Sequence, residues 1–261
     1  HTVPTVALKK VFRQAMESLI VANAHCIISG NEPDLNSKTS DFFMLQNLNP
    51  ALATELVTEL CTKRLPDAYG YKPLTDIQVL CPSKMMELGS VNLNNLLQDK
   101  LNPSVKDTKK VVYKGFELRE GDKVMQIKNN YDILWTADDG ESGSGVFNGD
   151  IGILETVDRK NGLVRVRYDD KVATYYGENI GELELAYAMT IHKSQGSEFE
   201  CVVLPILDTP KKLMYRNLLY TAVTRAKKLL IIVGSRQAVL SMVENNRKSL
   251  RYTSLKKRLE D

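Results

Sequence analysis

Residues 186–200 read AYAMTIHKSQGSEFE. A strand-like run over 183–186 feeds into this stretch. Thr190, His192, Lys193, Ser194 and Gln195 make a polar, hydroxyl-rich turn, and Gly196-Ser197-Glu198 hands the chain to a second apolar run over 199–207. Strand, polar turn, strand is the arrangement in which α/β proteins present side chains and free backbone groups on a rigid support. The turn offers one cation, an imidazole, hydroxyls and an amide. A glycine that permits close backbone approach follows, then a carboxylate able to take ribose hydroxyls. The same composition also describes a solvated loop, and composition alone favours that.

Outward from the turn the chain alternates. Residues 212–227 carry a helical pattern, 229–234 form a wholly apolar run suited to a central parallel strand, and Ser235 is placed to cap a last helix over 237–245. Upstream, the patterns predict an extended entry over 4–11, a helix over 18–29 stopped by Gly30, a strand over 41–45, a helix over 50–64, a strand over 76–82 and a helix over 91–101. This rhythm predicts an α/β fold, a parallel sheet flanked by helices. Between 111 and 182 the rhythm changes to short strands at 111–113, 123–127, 146–157, 163–168 and 172–175, punctuated by Gly121, Gly149 and Gly162. Val164, Val166 and Tyr168 alternate with Arg165 and Arg167, giving one buried and one solvated face. The pattern predicts a small antiparallel β-barrel, 111–182, inserted into an α/β unit made of 1–110 and 183–261.

The bulk numbers exclude more than they identify. With 261 residues, 43% of them apolar, and a formal charge of +3, the chain can bury a core, and an anionic partner is permitted but not required. No apolar run approaches the roughly 18 residues that span a bilayer, so no membrane is expected. Cys26, Cys61, Cys81 and Cys201 are widely spaced and show no metal-ligand pattern. They read as free thiols of a reducing cytoplasm. The sequence begins at His1 without an initiator Met, and is read as a piece of a longer chain.

Two arginines, Arg225 and Arg13, admit two readings each. Nine helical residues turn the chain through about two and a half turns, so Arg216 and Arg225 would face opposite ways on one helix. Arg225 in a last helical turn is favoured by the helix dipole; the alternative is a guanidinium aimed at a transferring phosphoryl group, and without other context the structural reading is the better bet. Arg13, after Phe12, carries the same choice between a surface ion pair and a cleft-facing cation.

Taken together, Phe12-Arg13-Gln14, the run from Tyr187 to Glu198 and the run from Asn217 to Ala226 (NLLYTAVTRA) resemble motifs IV, V and VI of superfamily 1 helicases of the RecD/TraA type. The stretches at Gly121-Asp122-Lys123-Val124-Met125 and Asn148-Gly149-Asp150-Ile151-Gly152 resemble the SH3-like barrel which that family inserts into its second motor domain. The resemblance spans essentially the whole chain in the family's order. It implies a second RecA-like motor domain with an inserted SH3-like barrel. Arg13 and Arg225 would contact the ATP γ-phosphate, Gln14 and Gly196 would frame the nucleotide, and Glu198 would hold its ribose. Thr190, His192, Lys193 and Ser194 would lie on the single-stranded DNA side. Lys123, Lys128, Tyr131, Trp135, Arg165 and Arg167 would offer further phosphate and stacking groups from the barrel.

The sequence contains no G-x-x-x-x-G-K-[ST], and Tyr168-Asp169-Asp170 reads as a hairpin turn and not as a metal-binding acid pair. The resemblance therefore implies that ATP and Mg²⁺ are held by a first motor domain, N-terminal to His1, and that this chain alone does not hydrolyse ATP. The implied whole is an ATP-dependent DNA helicase moving 5′ to 3′, whose partners are single- and double-stranded DNA, the first motor domain and nuclease or repair subunits. The competing reading is a non-enzymatic nucleic-acid-binding or partner-docking module on a degenerate motor fold.

Overall fold

The computed structural model describes residues 18–37, 40–113, 115–207 and 209–246. The extended entry over 4–11, Arg13 and Gln14 lie outside the described residues.

Five parallel strands form one sheet: β1 (Phe42–Gln46), β2 (Ile77–Cys81), β12 (Ala188–Thr190), β13 (Phe199–Ile206) and β14 (Ala226–Gly234), in the order β1-β14-β13-β2-β12. The inner strands are mostly apolar where helices cover both faces, and Lys227 and Lys228 stand exposed at the start of β14. Val202, Leu204, Leu230 and Ile232 pack on one face with α1 (Leu19–Ser29), α5 (Arg216–Val223) and α6 (Arg236–Glu244). Their neighbours Cys201, Val203, Ile231 and Val233 pack on the other face, with α2 (Pro50–Glu59), α3 (Leu65–Tyr69) and α4 (Ser90–Leu101). The helix starts are capped as their sequences allow. Ser18 and Asp41 take the free amides of α1, Asn49 those of α2 ahead of Pro50, and Ser235 that of Ala238 in α6.

Two helices differ from expectation. The one expected to end at residue 64 runs through a π turn, Leu60–Arg64, into α3. Pro66 has no N–H to donate, and the wider turn lets Leu65 N bond Leu60 O instead. The helix expected over 212–227 is only α5, preceded by a 3₁₀ turn at Lys211–Leu213. Phe199 N bonds Arg225 O and Ala226 pairs with Phe199, so the sheet claims the chain from 226 onward.

The antiparallel part begins with a hairpin of β3 (Lys110–Tyr113) and β4 (Phe116–Arg119). Seven strands then form one sheet: β5 (Lys123–Gln126), β6 (Asn130–Ala137), β7 (Ser142–Val146), β8 (Ile151–Asp158), β9 (Leu163–Tyr168), β10 (Lys171–Tyr176) and β11 (Leu183–Leu185), in the order β11-β5-β8-β9-β10-β6-β7. They enclose a separate core that includes Val124, Ile133, Leu154, Val166 and Tyr175. The strand expected over 146–157 is broken at Gly149, whose φ of +101° is left-handed backbone. Strand β6 was not anticipated, since Tyr131 and Leu134 point outward and blur its alternation. Residues 183–185 pair with β5 and so belong to this sheet, and the parallel strand starts only at Ala188.

Ala186 and Tyr187 join the two sheets, and the joint is tightly held. Asn94 donates to the Leu185 and Ala188 carbonyls at 2.9 Å each and accepts from Ala188 N at 2.7 Å. Gln78, buried in β2, donates to the Ala186 and Tyr187 carbonyls at 3.0 and 3.1 Å. Met125 of β5 is buried in the same cluster as Met189, Ile191 and Phe199, so the antiparallel part underlies both ends of the polar turn.

Candidate functional site

The polar turn crosses the sheet edge. Thr190 pairs with Cys81 at the end of β2, whereas Cys201 pairs with Ile77 at its beginning. Four residue steps of a strand are roughly 13 Å. Residues 191–198 therefore carry the chain from the C-terminal edge of the sheet back to its N-terminal edge, without a helix. The turn holds its own shape: Lys193 N and Ser194 N both bond Thr190 O, and Ser197 N bonds Ser194 O. The Ser194 hydroxyl, fully buried, donates to Ile191 O at 2.8 Å. Ser194 thus fastens the turn from inside and presents no surface to a phosphate, contrary to its expected place on the DNA side. Gly196, at φ +92°, makes the tight return.

At the C-terminal edge, His192 is exposed and its Nε2 lies 3.1 Å from the Tyr215 hydroxyl. Tyr215 precedes α5 and is half-buried, and burial pushes its phenol up. Lys193 pairs with Glu184 at 2.8 Å, and Lys84 reaches the same carboxylate at 3.0 Å. Burial pushes the Glu184 carboxyl up, but hydrogen bonds from the two lysines outweigh it and hold it below the usual range. Tyr215, Lys84 and Glu184 escaped the sequence reading because each lies in a segment with no motif of its own.

At the N-terminal edge, the turn meets Arg225. Its Nη1 donates to Ser197 O at 2.9 Å, Nε to Thr221 O at 3.1 Å and Nη2 to Thr224 Oγ1 at 3.1 Å. All three acceptors are neutral, and among the described residues no carboxylate pairs with Arg225. A half-buried guanidinium with five donors and three neutral acceptors keeps its charge uncompensated, and two N–H groups remain for an anion. The structure brings Arg225 onto Ser197, the residue between Gly196 and Glu198 and 28 positions away in sequence. Glu198 is exposed and only loosely paired, 3.8 Å from Lys227. Arg216, by contrast, turns to Val243 O at 2.7 Å and lies over Gly30 at the end of α1, far from this cluster in role.

The antiparallel part supplies fewer free groups than expected. Lys123 is buried, with its ammonium on Ile77 O at 3.2 Å. Lys128 pairs with Glu182 at 3.0 Å, and Arg167 with Asp138 at 2.8 Å and Glu155 at 3.0 Å. Trp135 lies under Lys171. Arg165 is exposed, as is Tyr131, edge-on to Phe147. Among the described residues no group of three acids, histidines or cysteines could hold a metal ion, and no helix is long and apolar enough to cross a membrane.

Residues 185–233 match the UvrD-like helicase C-terminal domain, and residues 93–168 match the SH3 domain of ATP-dependent RecD-like DNA helicases. The chain is 31% identical over 237 residues to the ATP-dependent RecD2 DNA helicase of Deinococcus radiodurans, covering 90% of this chain and 29% of that protein. It is 39% identical over 127 residues to the RecBCD enzyme subunit RecD of Mycolicibacterium smegmatis, covering 49% of this chain and 22% of that subunit. The chain thus spans less than a third of the length of these curated relatives. Two solved structures share the fold. One is the Pif1 helicase of Candida albicans, with TM-score 0.51, 19% identity, and 97% of this chain and 60% of that one covered. The other is the Pif1 helicase of Bacteroides in complex with ADP-AlF3 and ssDNA, with TM-score 0.50, 18% identity, and coverage of 98% and 56%. A RecD-like SH3 domain match followed by a UvrD-like helicase C-terminal domain match, with RecD2 similarity over 90% of its length, makes this chain a member of the RecD-like helicase family.

Proposed function

We propose that this chain is the second motor half of an ATP-dependent DNA helicase. Arg225, with Arg13, reaches the phosphates of ATP bound to a first motor domain; Gln14 and Gly196 frame the nucleotide and Glu198 takes its ribose. Thr190, His192 and Lys193 grip single-stranded DNA at the opposite edge of the sheet. Movement is 5′ to 3′, the direction the family resemblance carries. Mg²⁺ is held by the first domain, and the chain alone does not hydrolyse ATP.

The observation that carries this reading is the Arg225 guanidinium, uncompensated and fixed by three neutral acceptors beside Gly196 and Glu198. Such a cation is preorganised for charge that develops on a transferring phosphoryl group. The names of the relatives support it, as does the span of the turn between two edges. In the complete protein, Arg225→Ala leaves ATP binding within a few-fold of wild type and lowers hydrolysis by about 10³ or more. Hydrolysis at the wild-type rate in that variant defeats the proposal.

A further inference from the structure

Helix α5 runs beside the polar turn and is tied to it at both ends. At the C-terminal edge of the sheet, Tyr215, the residue just before α5, shares a 3.1 Å hydrogen bond with His192. At the N-terminal edge, Arg225, two residues past the helix, donates to Ser197 O at 2.9 Å and accepts from Phe199 N at 2.8 Å. The eight residues of α5 rise about 12 Å. That matches the roughly 13 Å the turn must cover. The interior of the helix is clamped as well, with Leu218, Leu219, Ala222 and Val223 buried against the sheet and the flanking helices. Turn and helix therefore form a closed ring whose two crosslinks sit at the two proposed ligand edges.

We infer that α5 is a strut coupling the two edges, and that Tyr215 is the positioning residue that couples His192 to it. The inference rests on the helicase reading and names the part that carries its coupling. When an anion draws the Arg225 guanidinium, the displacement reaches Ser197 and the start of β13 directly, and reaches His192 by two routes. One is the turn itself, bent and glycine-containing. The other is the helix, rigid and packed, but that route ends on a single phenolic hydroxyl. Without this hydroxyl the imidazole keeps its place in the chain but loses its connection to the helix. Coupling needs an element whose arrangement both sites bias, and this ring touches both.

The test uses the complete protein and the variant Tyr215→Phe, which removes one oxygen and keeps the ring's packing. Four quantities are read: thermal midpoint, strand affinity without nucleotide, the ATPase rate without DNA, and the rate saturated with single-stranded oligonucleotide. The expected result leaves the first three near wild type and lowers the stimulation of hydrolysis by the strand about five-fold or more. Wild-type stimulation in Tyr215→Phe overturns the strut. A loss of strand affinity as large as that of His192→Ala also overturns it, since Tyr215 would then be a contact and not a positioning residue. Wild-type protein whose hydrolysis does not respond to the strand overturns the helicase reading itself, and the strut with it. That outcome is told apart by the wild-type control.

Discussion

The buried hydroxyl of Tyr187 donates to Asp122 Oδ1 at 2.9 Å, bolting the antiparallel domain to the segment that enters the parallel sheet. Asp122 is fully buried and also accepts from Arg119 N at 2.7 Å, Gln98 Nε2 at 2.6 Å and Asn102 Nδ2 at 2.8 Å. Burial pushes its carboxyl up, against these hydrogen bonds, which favour the charge. Tyr187→Phe removes one donor and is expected to destabilise the fold by about 1–3 kcal/mol. Asp122→Asn turns donors toward donors and is expected to be worse. Chemical denaturation gives the energies, and hydrogen exchange over residues 183–190 shows whether the loss is local to the joint. Unchanged exchange there in both variants would remove the joint's role.

Glu184 holds both Lys84 and Lys193, at 3.0 and 2.8 Å. If these lysines face the strand, their shared carboxylate competes with DNA phosphates for them. Glu184→Gln is expected to tighten single-strand binding several-fold at low salt. It also steepens the dependence of log affinity on log salt by about 0.7 for each ammonium released to a phosphate. Anisotropy titrations at several salt concentrations check both, and an unchanged slope would place the two lysines away from the strand.

Lys123 carries a fully buried ammonium with one neutral partner. Burial is the main cause that pulls its pKa from the ordinary 10.5 down to about 8. Below pH 8 both folded and unfolded chains hold this proton, and the folded state bears the full penalty, about 3 kcal/mol. Between pH 8 and 10.5 the unfolded chain binds more protons, so this group makes stability rise with pH. Lys123→Met is thus expected to stabilise the protein by about 2 kcal/mol at pH 7, after loss of the bond to Ile77 O. The gain should vanish by pH 10.5. Denaturant midpoints of both proteins across that range decide it, and a gain independent of pH would refute the assignment.

Much of the architecture was legible because it is periodic. Mainly apolar runs over 76–82, 199–207 and 229–234 marked the buried parallel strands, and helix-spaced apolar positions marked α1, α2 and α4. The change to short strands marked the antiparallel domain. What escaped notice broke a period. Strand β6 exposes Tyr131 and Leu134, Pro66 sits inside a continuing helix by means of a π turn, and residues 226–228 have helical composition but pair in the sheet.

The site divides along the same line. The sequence alone determined the residue types of the turn, its place between two strands and the identity of Arg225. These depend on local order along the chain, which motifs record. Only the tertiary structure decided which way those groups face. It buried Ser194, tied Lys193 to Glu184, left Arg225 with neutral acceptors and joined His192 to Tyr215. The physical reason is that charge compensation and burial depend on neighbours distant in sequence, 23 residues for His192 and Tyr215, 28 for Arg225 and Ser197 and 100 for Lys84 and Glu184, which no local pattern encodes. The turn begins and ends at opposite edges of the sheet because strand register, a long-range property, sets Thr190 beside Cys81 and Cys201 beside Ile77.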